Sequence, residues 1–318
     1  MKPFPGGPPS KGPLGPFGPG GPGRPGGSPP MPIPGVDFPI TRAQPHYCDL
    51  AYASISPAQK LDLYLPKGSG PFPVVLIVHG GAFLFGDKAD EPSKPGTDAL
   101  LEHGYAVANL NYRLSGEAKA PAQIQDIKTA VRWLRAHAKE YNLNPDKFGA
   151  WGASAGGNLV ALLGTSCGVA ALEGAELGSR EQSSCIQAVV DWFGPIDFLK
   201  MDQQFSGKPV LQTHDAPDSP ESLLIDAPIQ TRPDLVKLVN PLTYISSSAS
   251  PFLIQHGTED NVVPVQQSEL LYEALKVAIG ADRVTLTLLN GASHGGGPQF
   301  WDPANVELIL HFLDKFLT

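Results

Sequence analysis

The chain has 318 residues, 42% of them hydrophobic and 17% charged, with a formal net charge of −8 at pH 7, which allows one large domain or two smaller ones with a sizeable core. The acidic balance and the lack of a basic stripe argue against a nucleic-acid or anionic-membrane partner, and no apolar run approaches the roughly 18 residues needed to span a bilayer. Three cysteines (Cys48, Cys167 and Cys185) without C-x-x-C spacing, and no H-E-x-x-H, leave nothing that asks for a metal or another cofactor.

The first thirty residues hold 11 prolines, 10 glycines, three basic residues and no acidic one. Such a segment cannot bury enough apolar surface to offset its ordering entropy, so residues 1–45 are expected to be a Pro/Gly-rich disordered tail acting as a spacer. Glycine recurs every third residue from Gly12 to Gly21, but four triplets are too few for a collagen helix and Arg24 breaks the frame. No h-region of a signal peptide is visible. The expected location is the cytoplasm if Met1 is native, and outside the cell if a leader was removed.

Beyond the tail, Gln59 to Pro66 alternates apolar and polar positions like a half-exposed strand. "FPVVLIVHGG" is a β-branched run ending in glycines, as expected of a strand buried on both faces, and Tyr105 to Arg113 is a second run of this kind. Ser93 to His103 can form a short helix between them. From Pro121, a helix places Ile124, Ile127, Val131, Leu134 and Ala138 on one face. A strand over Phe148 to Gly152 then leads through "GAWGASAGGN" into the helical "NLVALLG". Ile186 to Gly194 and Pro251 to Gly257 are further buried strands, "PVQQSELLYEALKVAIG" is a helix stopped by Gly280, "RVTLTLLN" a last strand and "NVELILHFLDKFL" a closing helix. Alternating strands and helices predict an α/β domain over 46–318 with a mostly parallel central sheet. The stretch from Phe198 to Asn240 is too long and proline-rich for an ordinary connection and reads either as a lid-like insertion or as a surface loop without function.

The pattern G-x-S-x-G occurs twice, around Ser154 and around Ser293. It matters only where a strand meets a helix in a turn tight enough to expose the hydroxyl. Ser154 has that context, with Gly152, Ala153, Ala155 and Gly156 as small neighbours, whereas "GGGPQ" after Ser293 cannot start a helix. The order of partners agrees: Asp260 follows the strand ending in "QHG", and His294 follows the last strand. A serine hydroxyl needs a base to take its proton, neutral histidine suits that near pH 7, and a carboxylate holds the imidazole in the right tautomer. Glu259, Asp197 and, more weakly, Asp191 compete with Asp260 for the acid. "VHGGAF" supplies N–H groups for an oxyanion hole made of Gly81, Ala82 and Ala155. His79 and His256 end strands and read as structural. Phe83, Trp192 and Phe193 are candidate walls of a substrate pocket, with core packing as the alternative reading. Cys167 and Cys185 bracket a polar loop between a helix end and a strand start, an arrangement that can bring them to bridging distance and leave Cys48 free if the protein is exported, with two small, partly buried residues as the alternative if it is cytosolic.

Taken together, "HGGAF…GDK", "NYRL", "DIKTAVRWLRAHA", "GASAGGNLVALL", "VVDWFGPIDF", "PLTYIS", "HGTEDNVVP" and "GASHGG" resemble the α/β-hydrolase superfamily. They are most similar to bacterial carboxylesterases related to bifunctional feruloyl and acetyl-xylan esterases, cousins of the hormone-sensitive-lipase-like esterases. The resemblance runs from about Ala58 to the C-terminus. It implies a serine carboxylic-ester hydrolase acting through an acyl-enzyme on short-chain or aryl esters, extending to feruloyl or acetyl esters of plant polysaccharide, with Ser154, Asp260 and His294 as triad, a small-molecule ester as partner and no cofactor. Two departures stand out: the fourth position of the H-G-G-G pattern is Ala82, and the elbow reads G-A-S-A-G rather than G-D-S-A-G. An arylformamidase-like amidase and a non-catalytic binding protein on the same fold are the competing expectations. Because the tail cannot form a packed part of a site, deletion of residues 1–30 is expected to keep kcat/KM for a small soluble ester within about threefold of the parent, under about 1 kcal/mol of transition-state free energy; a tenfold loss would mean that the tail docks on the domain.

Overall fold

The computed structural model describes residues 40–90, 96–205, 210–295 and 297–318, so nearly all of the tail expected over 1–45 lies outside the described residues. Eight strands form a single sheet: β1 (Tyr47–Ala51), β2 (Lys60–Tyr64), β3 (Phe72–Val78), β4 (Ala106–Leu110), β5 (Leu143–Ala153), β6 (Ala188–Trp192), β7 (Phe252–Gly257) and β8 (Val284–Leu289). Their spatial order is β1-β2-β4-β3-β5-β6-β7-β8. The first two strands run antiparallel to their neighbours, and every pair from β4 to β8 is parallel.

The helices among the described residues are α1 (Thr97–Glu102), α2 (Ala122–Ala136), α3 (Ala155–Thr165), α4 (Ala170–Glu173), α5 (Met201–Gln204), α6 (Pro220–Ile225), α7 (Pro233–Val239), α8 (Gln266–Ile279) and α9 (Pro303–Leu317). A strand covered on both faces must bury successive side chains on opposite sides. On β3, Val74, Leu76 and Val78 join the core beneath α2, α3 and α8, while Val75 and Ile77 join the one beneath α1 and α9. On α2, Ile124, Ile127, Val131 and Leu134 are buried together, as their spacing predicts. The strand β1 carries no alternating apolar pattern; its residues are mostly exposed at the sheet edge and are held by pairing to β2. Packing also starts just ahead of residue 46, because the Asp98 carboxylate accepts the N–H groups of Arg42 and Ala43.

Buried ion pairs tie the loops to this frame. Arg113 grips Asp126 on α2 through its Nε and Nη2, and Gln59 donates to the same carboxylate. Lys128 and Arg132, both on α2, hold Glu173 at 2.7 and 3.2 Å. That glutamate lies in the loop closed by a disulfide between Cys167 and Cys185, whose Cα atoms are 5.0 Å apart. Cys48 is a free, exposed thiol. The segment expected as an insertion contains α5, α6 and α7, with a 3-10 turn (Phe198–Lys200) ahead of α5 and another (Ile229–Thr231) between α6 and α7, and residues 206–209 outside the described residues.

A closed loop of this size stabilises by about 3 kcal/mol. Replacing Cys167 and Cys185 together by serine should therefore lower the unfolding free energy by that amount, read as a lower denaturant midpoint. Thiol titration of the unfolded, unreduced parent should find one free thiol.

Candidate active site

The C-terminal ends of the parallel strands carry the expected residues, at the edge where open α/β sheets build their sites. Ser154 stands between β5 and α3 at φ 56° and ψ −123°, a backbone conformation that costs a residue with a side chain about 1–3 kcal/mol. Its surroundings explain the flanking glycines. A Cβ on Gly152 would strike the Gly156 carbonyl, and one on Gly156 would strike the Val78 carbonyl of β3. On Gly157 it would come within 2.8 Å of the Gly194 Cα. Bend and helix are thus wedged between β3 and the loop after β6, and the Ser154 N–H is fixed to the Trp192 carbonyl at 2.9 Å.

From this bend the Ser154 Oγ reaches His294 Nε2 at 2.9 Å, and His294 Nδ1 reaches Asp260 Oδ2 at 2.7 Å. The serine and histidine are partly exposed, whereas Asp260 is buried. Burial alone would raise the Asp260 pKa, but His294 and His256, aided by hydrogen bonds, hold it well below the usual carboxylate range. Its other oxygen, Oδ1, accepts the N–H groups of Val262 and Val263 at 2.8 Å each. An ionised acid at Nδ1 leaves the proton on that nitrogen and the lone pair of Nε2 facing the serine.

Among the competing carboxylates, Glu259 is exposed and Asp197 pairs with Lys200 at 3.2 Å. Asp191 is fully buried behind the bend; its Oδ1 accepts the Gly194 N–H at 3.0 Å, and its Oδ2 has no partner among the described residues. Burial pushes its pKa up to about 7, against the opposing effects of the Gly194 N–H and His256. Ser293 is exposed, one residue before the histidine.

The glycine loop after β3 turns through successive positive φ angles at Gly81 (103°), Ala82 (53°) and Phe83 (61°). The Gly81 carbonyl closes the turn by accepting from the N–H groups of Leu84 and Phe85. The N–H groups of Gly81, Ala82 and Ala155 donate to no protein group among the described residues. Gly80 seats the loop against the bend, since a Cβ there would lie 2.9 Å from the Ala153 carbonyl and 3.3 Å from Ser154 Cβ. His79 is buried against the Tyr112 ring, and its Nδ1 lies 2.7 Å from the Gly80 carbonyl. Further along, buried Lys88 meets Asp49 and Asp62 at 3.0 and 2.9 Å, and Asn111 binds both the Lys88 N–H and the Asp87 carboxylate.

The aromatic residues considered as pocket walls are used in packing. Phe83 lies in the core facing Phe198, and Trp192 is buried with its indole N–H on Gln255 Oε1 at 2.7 Å. Phe193 is buried too, but its ring meets His294 edge-on at 4.8 Å. The exposed aromatic surface beside the glycine loop belongs to Phe85, 40% exposed. His256, read from sequence as structural, also touches the site: its Nε2 lies 3.2 Å from Asp260 Oδ2 and 3.0 Å from the Val263 carbonyl. The i,i+4 spacing in "HGTED" was the available signal for that contact. Among the described residues no helix is long and apolar enough to cross a membrane, and no three His, Cys, Asp or Glu side chains form a group suited to a metal ion.

A family model, BD-FAE, matches residues 61–275. The chain belongs to the BD-FAE family. Esterase LipC of Mycobacterium tuberculosis is 30% identical over 264 residues, covering 82% of this chain and 62% of the relative. LipM, a probable carboxylic ester hydrolase of the same organism, is 29% identical, covering 74% of this chain and 53% of its own length. This chain thus spans less than two thirds of those curated relatives. Among solved structures, a truncated carbohydrate esterase from gut microbiota is 33% identical with a TM-score of 0.76, covering 85% of this chain and 95% of the other. Esterase 2 of Thermogutta terrifontis phosphonylated by sarin is 26% identical with a TM-score of 0.68, covering 90% and 96%. The BD-FAE chain described here accordingly has the α/β-hydrolase fold, with its mostly parallel sheet between two layers of helices.

Because the bend has no room for a Cβ at Gly156, Gly156→Ala should destabilise this BD-FAE chain by about 3 kcal/mol. It should also misalign Ser154, read as a lower denaturant midpoint together with slower labelling by a fluorophosphonate.

Proposed function

We propose that the chain is a serine carboxylic-ester hydrolase working through an acyl-enzyme, with Ser154 as nucleophile, His294 as general base and acid, and Asp260 as the acid that orients the histidine. The observation that carries the reading is the unbroken chain from Ser154 Oγ through His294 to Asp260, at 2.9 and 2.7 Å. The esterase names of the relatives and of the structural neighbours support it.

In the first step His294 Nε2 takes the hydroxyl proton as Oγ adds to the ester carbonyl, and ionised Asp260 stabilises the imidazolium. The N–H groups of Gly81, Ala82 and Ala155 receive the charge that develops on the carbonyl oxygen. His294 then hands its proton to the departing alkoxide, and water repeats the sequence on the acyl-enzyme. The Cβ of Ala82 occupies space that a fourth glycine would leave open, which favours small acyl groups. Phe193 beside His294 and exposed Phe85 supply apolar surface for a short acyl or aryl group. Similarity to a carbohydrate esterase supports acetyl or feruloyl esters of plant polysaccharide as substrates. On this reading the Pro/Gly-rich residues 1–45 are a spacer and residues 46–318 the catalytic domain, with 198–240 as its insertion.

A fluorophosphonate should modify Ser154 alone, as located by mass spectrometry; an adduct on Ser293 would refute the assignment. Asp260→Asn keeps the shape but favours the wrong imidazole tautomer, so kcat on p-nitrophenyl acetate should fall by roughly 10⁴-fold. Asp191→Asn, Asp197→Asn and Glu259→Gln should each stay within about tenfold of the parent.

A further inference from the structure

The loop that carries Asp260 is held by its own peptides. Asp260 Oδ1 takes the N–H groups of Val262 and Val263, and the carbonyls of the same two residues each face a buried imidazole. For Val263 that ring is His256, from the adjoining strand β7. For Val262 it is His214, from the segment between α5 and α6, whose Nε2 lies 2.8 Å from the carbonyl oxygen. A second link joins the same two segments, from the Leu211 N–H to the Asn261 carbonyl at 3.1 Å.

The surroundings of His214 set its charge. The residue is 1% exposed, and its Nδ1 lies 2.9 Å from Oε1 of buried Glu221 on α6. Each ring nitrogen therefore faces an oxygen acceptor. A neutral imidazole can donate to one of them only, whereas the imidazolium donates to both. Among the described residues the other charged groups around it are also acidic: the Asp202 carboxylate on α5 accepts the His214 backbone N–H at 2.8 Å and that of Asp215 at 2.9 Å, and Asp260 lies behind Val262. Phe205 stacks on the ring at 6.3 Å, and the Gln212 amide stands 3.5 Å from Nδ1. Burial opposes the charge, yet Glu221 and the Val262 carbonyl outweigh it and the pKa is raised.

We propose that His214, as an imidazolium paired with Glu221, is a positioning residue for the triad: it anchors the Val262 carbonyl, and through that peptide it fixes the orientation of Asp260. The inference rests on the hydrolase reading and deepens it, because it makes the 198–240 insertion part of the machinery that aims His294. A group whose folded pKa is raised contributes fully at low pH, and that contribution is lost as pH rises through its folded value. Deprotonation of His214 takes one donor away, so the grip on the acid loop weakens on the alkaline side.

The test uses the full chain with p-nitrophenyl acetate, with rates expressed per site titrated by a fluorophosphonate. In His214→Gln, kcat should fall about tenfold, the scale of a small misplacement of reacting groups, with KM within about twofold. The parent's kcat should decline on the alkaline side, and that decline should be absent from this variant. Glu221→Gln removes the charge that keeps His214 protonated, so there the decline should move to lower pH; this variant decides the matter if His214→Gln does not fold. A purely structural role would reduce the number of titrated sites and leave kcat per site and its pH profile at the parent's values, and that result would overturn the proposal. The low-field proton resonance of the His294–Asp260 hydrogen bond adds a readout independent of turnover. It should shift as the parent passes through the alkaline range and hold still in His214→Gln. A chain inactive on the ester would thus defeat the hydrolase reading, while a resonance indifferent to both substitutions would defeat this one.

Discussion

The bend at Ser154 depends on backbone meeting backbone where no side chain fits. Gly152 faces the Gly156 carbonyl, Gly156 faces the Val78 carbonyl, and Gly157 lies against Gly194. Those contacts lock β5 and α3 to β3 and to the loop after β6. The strained φ of Ser154 is then over-determined by its neighbours and does not relax. The glycine loop after β3 is seated by the same close approach, through Gly80 and Ala153. On the proposed reading, the Ser154 hydroxyl and the N–H groups of the glycine loop therefore share one rigid origin, which is what preorganisation for a developing oxyanion requires.

The acid and the histidine are set in place differently, by charge and hydrogen bonding on loops. Asp260 is buried, which by itself would favour its neutral form. It stays ionised because two backbone N–H groups and two imidazoles surround it. Its loop is consequently tied on one side to strand β7 through His256 and on the other to the 198–240 segment through His214. Phe193, itself at a positive φ, closes the remaining side of His294 with its ring edge. The hydrogen-bonded chain of Ser154, His294 and Asp260 thus joins a sterically fixed half to an electrostatically fixed half.

Much of this was legible in the chain. Central strands such as "FPVVLIV" and the face of α2 declare themselves because burial on two faces, or on one helical stripe, demands a repeating apolar pattern. The order of Ser154, Asp260 and His294 after successive strands was readable for the same reason, since each follows an apolar run. Three features were not. Strand β1 is an exposed edge element with no apolar alternation, so pairing with β2 rather than its own composition creates it. Trp192 and Phe83 look like pocket walls in sequence because an aromatic beside a motif gives no sign of which way its ring turns. His214 is separated from the residues it holds by 48 positions, and nothing local marks a histidine whose partners are a distant carbonyl and a glutamate.

Asp191 has a consequence of another kind. Its carboxyl group is sealed in the core with a pKa near 7, against 3.8 for an ordinary aspartate. In mildly acidic solution the unfolded chain has given up that proton and the folded chain retains it. Folding there draws a proton from the buffer, and unfolding returns it. The heat measured on melting therefore includes the heat of protonating the buffer. In an amine buffer, whose protonation is strongly exothermic, the apparent enthalpy of unfolding falls below that in phosphate at the same pH. Above neutral pH, where both states have lost the proton, the two buffers give the same Asp191 contribution.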